Sequence, residues 1–472
     1  MRAAGLEQFG APGAAAADAA PWVGRIAAGG AAFGAGIGLT RAGHPLMLGL
    51  LPILGALAIA GAVALPRWCL VAALFLLVAY IPDALATHSA AHALIAVVLA
   101  GAVVRRAVGI ERLAIPGEII AFAALALAYI AATLFATDRA AAAAETIDLI
   151  SYAAVVSVLV ALLDSPAWLR RAMWAIVAGV GLLAALAIFQ QVTKSYAASY
   201  GGLASVLPAG DAQRSAGPLN PNPFGQVLAT CAVLAFYLAR IQPRILGRAV
   251  GAALAVACVV GLGYTQSRAA LIALLVVAVA IGVLRGVRLP ALAVAVCGTI
   301  ALGTFVLPQA LQTRVGDLYA AVSSNAGTPQ DMSLRGRQSE NLAGLRMWSD
   351  HPLVGVGPDN FEVHYQQYSE AIGTDPRAEQ RGAHNLYLES LAETGFLGAM
   401  AFIGVLWLSL TGAWRARRRL QGDDALLAEG ILVALGAFLV CAVTLHSAYA
   451  RYEWIFLGLG LAAGRLARRR AR

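Results

Sequence analysis

Apolar runs, most of them near or at bilayer-crossing length, follow one another along almost the whole chain, separated mainly by short loops that carry arginine. The runs fall near 26–39, 45–65, 67–81, 88–104, 116–136, 146–163, 168–192, 223–240, 247–264, 269–285, 289–307, 394–412, 426–446 and 452–466. A helix needs roughly 20 apolar residues to cross the hydrocarbon of a membrane. Only helices and closed barrels can do so, because lipid offers no partner for an unpaired backbone group. Composition agrees with helices. Hydrophobic residues make up 60% of 472 and charged residues 12%, against about 25% charged in a soluble domain; the mean hydropathy is +0.75. The expected fold is an all-α polytopic membrane protein with about 12–14 transmembrane helices. The lower count applies if the first two runs form a re-entrant pair or other short runs do not span.

Arginine sets the expected topology. The net charge is +9, and Lys194 is the only lysine. With "RRAVGIER", "LRR", "RIQPRILGR", "RGVR", "WRARRRL" and the tail "RLARRRAR" on the cytoplasmic side, every alternate loop from residue 67 onward is basic. This is the positive-inside pattern, and it places both termini in the cytoplasm. The same dispersal argues against a nucleic-acid partner, which needs basic residues gathered in one patch. Residues 1–22 lack a basic start, apolar core and cleavage site, so they read as a mobile cytoplasmic tail and not as a signal peptide. Cys69, Cys231, Cys258, Cys297 and Cys441 all lie in apolar runs without CxxC spacing, and read as small core residues.

Polar residues concentrate on the opposite side. The expected organisation is a bundle over 23–307 with a short outer loop near 193–222, a large outer loop over 308–393, and three last helices with a basic tail over 394–472. Loops longer than about 15 residues in compact proteins are usually functional or disordered. Trp348, Phe361, Tyr365 and Tyr368 indicate that the large one is folded. Within it, Trp348 to Pro358 reads as a helix end followed by a Gly/Pro turn. "HNLYLESLAETGFLG" reads as a helix beginning near His384, with Glu389 and Glu393 as i,i+4 neighbours.

No Walker A sequence, HExxH or Cys/His zinc spacing occurs, and no outer carboxylate pair suits a divalent ion. Neither a metal nor a cofactor is expected, and an outer site for phosphate would have to use arginine. Arg268 in "TQSRAA" stands between two apolar runs, Arg335 and Arg337 lie in "SLRGRQ", and Arg214 just precedes "NPN". Guanidinium groups bind phosphate oxygens bidentately and stay charged. Taken singly, Arg268 also reads as a snorkelling anchor, and Arg335 and Arg337 as solvated loop charges. His384 reads either as structural or as a base. Asn385 stands beside it, and Glu389 and Glu393 read as helix-surface charges or as groups orienting His384 or an arginine.

"HPLVGVGPDNF" followed by "AHNLYLESLAETGFLG", with "TQSRAA" and "GRQSENLAGLRMW" before them, resembles the O-antigen ligase and polymerase superfamily of bacterial envelope glycan assembly. The similarity covers roughly residues 200 to 410. It implies a multi-helix inner-membrane protein similar to GT-C glycosyltransferases, with one large periplasmic loop before the last three helices. It also implies a reaction at the periplasmic face in which a glycan leaves an undecaprenyl diphosphate carrier, independently of metal. A ligase passes it to a sugar hydroxyl of lipid A–core; a polymerase passes it to another repeat unit. The family's functional arginines map onto Arg268 and onto Arg337 or its neighbour Arg335, and its histidine maps onto His384. The expected partners are thus the lipid-linked donor, a lipid A–core or other glycan acceptor, and membrane lipids. A transporter of a lipid-linked or anionic solute is the alternative of another class. It would more often show internal repeats, and none is evident.

Overall fold

The computed structural model describes residues 58–85, 88–107, 117, 119–209, 212–287, 332–373, 381–445 and 450–470. The runs near 26–39 and 289–307, most of 45–65, the tail 1–22 and Cys297 lie outside the described residues. Fourteen α-helices are labelled here in chain order: α1 (Pro66–Val78), α2 (Ile81–Leu85), α3 (His88–Ala107), α4 (Ile119–Phe135), α5 (Arg139–Leu162), α6 (Pro166–Thr193), α7 (Pro221–Arg240), α8 (Ile245–Thr265), α9 (Arg268–Leu284), α10 (Met332–Asp350), α11 (Phe361–Ile372), α12 (Leu386–Arg419), α13 (Gly422–Ala442) and α14 (Arg451–Arg469). Among the described residues, α5, α6, α7, α8, α12 and α13 are long and apolar enough to cross a membrane, and α1, α3, α4 and α9 contain shorter apolar helices. The chain is a helical, polytopic membrane protein. One departure from all-α is a hairpin, β1 (Val206–Ala209) paired antiparallel with β2 (Ala212–Ser215). Cys69, Cys231, Cys258 and Cys441 are free thiols.

The centre of the bundle is α14, buried on nearly every face. A helix is enclosed in this way only where its neighbours come close. Here Gly460 and Gly464 allow it: a Cβ on Gly460 would lie 2.7 Å from the Ser409 carbonyl oxygen, and one on Gly464 2.6 Å from the Gly412 Cα. This is the small-residue spacing that lets membrane helices pack closely.

The arginine-bearing loops collect at one end of the bundle. Glu429 of α13, 5% exposed, accepts from Tyr237 (2.8 Å), Arg285 (2.7 Å) and Arg417 (3.1 Å), which tie down the adjoining ends of α7, α9 and α12. Asp164 pairs with Arg67 at 2.6 Å, and Asp424 with Arg470 at 3.1 Å.

At the other end, α12 is not the simple spanning helix expected from residue 394. It starts at Leu386, capped by Asn385, and kinks at Gly395, where φ is 62° and ψ is −165°. That backbone state is essentially open to glycine alone. The segment Pro352–Gly357 is joined to the kink by four backbone bonds. Phe396 and Leu397 donate to the Pro352 and Leu353 carbonyls (2.8 and 3.2 Å). Val356 and Gly357 donate to those of Ala392 and Glu393 (3.0 and 2.9 Å). Glu393 then accepts the first amide of α11, Phe361 N–H, at 3.1 Å. Asn360, wholly buried, accepts from Asp138 N–H (2.7 Å) and donates to the Asp138 carbonyl (3.1 Å), which fixes the turn between α4 and α5. Ala343, Met347, Val356, Phe361, Tyr365, Ala383 and Ala392 form a separate small core beneath α10 and α11.

Gly395→Ala should therefore fail. Its Cβ would stand 2.3 Å from the Leu353 carbonyl carbon, and the strained backbone alone costs on the order of 1–3 kcal/mol. Detergent-solubilised Gly395→Ala protein is expected to lose its cooperative melting transition or not to accumulate. A melting temperature equal to wild type would refute the splice.

Candidate functional site

The site is assembled on α10. Its inward stripe runs Gly336, Glu340, Ala343, Met347, spaced as one helix face. Glu340 is the only charge in this stripe, and its side chain is 0% exposed. A buried carboxylate requires partners, and two come from the segment leading into α12. Arg381 places Nε 2.7 Å and Nη2 2.6 Å from Glu340 Oε1. His384 Nδ1 lies 3.0 Å from Oε2 and 3.2 Å from the Gly382 carbonyl. Both acceptors face Nδ1, so this nitrogen carries the proton and Nε2 is the basic one. Burial alone would raise the Glu340 carboxyl, but the His384 hydrogen bond and the Arg381 charge outweigh it and hold the group below the ordinary carboxylate range.

His384 stands just before the helix cap. The Asn385 side chain accepts from Tyr387 N–H at 3.1 Å and Leu388 N–H at 3.2 Å, so the expected supporting residue fixes where α12 begins. Glu389 and Glu393 are buried, 4% and 2% exposed. Glu393 caps α11, and the carboxylate bonded to the His384 Nδ1 is Glu340.

A second group gathers at the turn from α8 to α9. Arg214 of β2 donates Nε to the Thr265 carbonyl (2.9 Å) and Nη2 to Asn222 Oδ1 (2.8 Å). Arg268 opens α9 three residues after Thr265, half-buried. Between them Gln266 holds a left-handed backbone, φ 52°. Ser267 occupies the cap position of α9 without making a side-chain cap. The buried Gln266 Oε1 and Ser267 Oγ have no hydrogen-bond partner among the described residues. A helix start with guanidinium groups beside it suits an anion. Of the α10 pair, Arg337 is half-buried three residues before Glu340, whereas Arg335 is exposed.

Between the two groups lies a cavity of about 570 Å³. Asn220 and Pro223 line it on one side, flanking the Asn222 that holds Arg214. Gly382 and Ala383 line it on the other, directly before His384. Burial first, then the Asp138 charge, raises the carboxyl of Asp359 in its wall; burial and Asp359 do the same for Glu362, against a smaller opposing effect of His384. No group of three or more metal-ligating side chains occurs among the described residues.

A family profile described as O-antigen ligase matches residues 253–403, from α8 through the kink of α12. The chain carries an O-antigen ligase family domain. The teichuronic acid biosynthesis protein TuaE of Bacillus subtilis (strain 168) is 28% identical over 117 residues, which cover 24% of this chain and 23% of that protein. The family stretch contains Arg268, Arg335, Arg337, His384, Asn385, Glu389 and Glu393; Arg214 precedes it. Two residues of the site, Glu340 and Arg381, were not legible as such in the sequence. The available signal was a carboxylate on the small, apolar stripe of an amphipathic helix.

The Glu340 cluster makes stability depend on pH. A carboxyl held below its unfolded value contributes fully above that value and loses its contribution as pH falls through the folded one. Removing one member of a buried ion pair costs about 3–5 kcal/mol. Glu340→Gln is expected to melt below wild type at pH 7, with the gap closing as pH drops below about 4. A gap independent of pH would contradict the assigned contacts.

Proposed function

We propose that this protein is a membrane glycosyltransferase of the ligase type. It moves a glycan from undecaprenyl diphosphate to a sugar hydroxyl of lipid A–core at the periplasmic face of the bacterial inner membrane, with both termini in the cytoplasm. The observation that carries the reading is the His384 imidazole, held through Nδ1 by the buried Glu340 carboxylate, directly after Gly382 and Ala383 in the lining of a cavity that Asn220 and Pro223, neighbours of the Arg214 partner Asn222, also line. The family match and the similarity to a teichuronic acid biosynthesis protein support polysaccharide as the substrate class.

In this reading His384 Nε2 takes the proton of the acceptor hydroxyl. The oxygen attacks the anomeric carbon from the face opposite the carrier, the bond from that carbon to the diphosphate oxygen breaks, and the configuration inverts. The imidazolium that forms faces Glu340. Charge developing on the departing diphosphate is met by Arg268 and Arg214 at the start of α9, with Arg337 along α10 as a further cation. Fixed charges of this kind need no reorganisation as the reaction proceeds. The donor's own diphosphate linkage supplies the driving force.

The test is deletion of the gene with complementation, reading lipid A–core on gels and the carrier-linked pool by mass spectrometry. Long glycan on undecaprenyl diphosphate over bare lipid A–core is expected in the deletion, and wild type restores transfer. His384→Ala should insert normally and lose about 10²-fold or more in rate, the range of a general base. Arg268→Lys should lose about tenfold, equivalent to one charge-assisted hydrogen bond. Lipid A–core bearing single repeat units would convert the reading to a polymerase, and unchanged glycan pools would exclude both.

A further inference from the structure

The residues of the mechanism above adjoin the 570 Å³ cavity but do not line it. Its lining is acidic. Glu145, Asp148, Asp359, Glu362, Glu389 and Glu393 all line it, with Arg451 as the one cation among the lining residues. Arg451 is already committed: its Nη1 and Nη2 each lie 2.7 Å from an oxygen of Asp83, and its guanidinium stacks 4.4 Å from the centre of the Tyr80 ring. The lining therefore sets six carboxyl groups against one paired cation, the reverse of the Arg214 and Arg268 turn just beyond Asn222.

Acidity alone assigns no ligand; the shape and the other walls do. The volume lies within the range of about 300–1,000 Å³ of small-molecule sites, which combine apolar or aromatic walls with a few placed polar groups. The rings of Tyr80, Tyr152, Phe361 and Tyr452 supply the apolar walls. Glu145 Oε2 is shielded from solvent and has no hydrogen-bond partner among the described residues. A buried acceptor in that state requires a donor. A pyranose presents both features needed, flat C–H faces for the rings and a rim of hydroxyl donors for the carboxylates.

We propose that this cavity is the subsite for the acceptor's terminal sugar, and that its carboxylates select an uncharged or amino sugar and reject one bearing a carboxylate or phosphate. An anionic ring would face this acidic lining with its one cation already paired to Asp83, a repulsive element of the kind specificity requires. The assignment rests on the transferase reading, because it places the attacking hydroxyl beside Gly382 and Ala383, next to His384.

Binding can be measured without transfer. Saturation-transfer NMR on the full chain in detergent, with methyl glucoside, methyl glucosaminide and methyl glucuronide as probes, is expected to show the first two bound and the glucuronide at least tenfold weaker. Asp148→Asn combined with Glu145→Gln should weaken glucosaminide severalfold and narrow its advantage over glucuronide. Equal binding of glucuronide, or probe binding indifferent to the double substitution, overturns the subsite. Sugar selectivity in a protein that catalyses no transfer would leave the subsite standing and remove the transferase reading. Transfer without sugar selectivity would do the reverse.

Discussion

Four backbone hydrogen bonds between Pro352–Gly357 and the kink of α12 hold the functional end of this molecule in place. A backbone group buried without a partner costs several kcal/mol. The kink exposes such groups, and the loop supplies their partners in register. Only glycine can adopt the backbone state at 395. From this splice the rest follows in sequence. The loop continues to Asn360, which grips the α4–α5 turn. Glu393 caps α11, α11 packs on α10 through Tyr365 and Ser339, and α10 presents Glu340 to His384. His384 is thus held against packed helices, one residue before the cap of α12.

This explains what the sequence disclosed and what it concealed. Apolar runs and alternating arginines are local signals, and they gave the helical membrane fold and gathered the basic loops at one end. Hydropathy reports contact with lipid, not where a helix begins. The apolar run starts after Gly395, while the helix starts at the Asn385 cap, so a boundary near 394 falls inside α12. "HPLVGVGPDNF" and "ETGFLG" were visible as two motifs, but their mutual backbone pairing is a property of neither. Glu340 and Arg381 sat inside stretches already singled out. Recognising them requires the phase of α10, because Glu340 stands out only once Gly336, Ala343 and Met347 are known to share its face. Glu393, which reads in the sequence as a helix-surface charge or an orienting group, is buried and accepts the first amide of α11. The short β1–β2 pair carries no periodic signal of its own, yet it delivers Arg214 to the α8–α9 turn.

The polar end is divided by charge. Arg214 and Arg268 make one side positive, and the cavity lined by Glu145, Asp148, Glu362 and Glu389 is negative. Asn220 to Pro223 separates the two over a single turn of chain. A separation this abrupt survives because both regions are partly buried, where salt screens weakly. For the proposed transfer it would orient the substrates before any chemistry, the diphosphate drawn to one side and the uncharged acceptor to the other.

The resting charge state of the Glu340 cluster bears on the proton transfer itself. Glu340 and Arg381 form a buried pair beside the His384 imidazole. In the proposed transfer, the cation formed when Nε2 takes a proton would meet a carboxylate already fixed at 3.0 Å from Nδ1. This arrangement would keep a fixed carboxylate beside the imidazole as it takes the proton of the acceptor hydroxyl in that transfer.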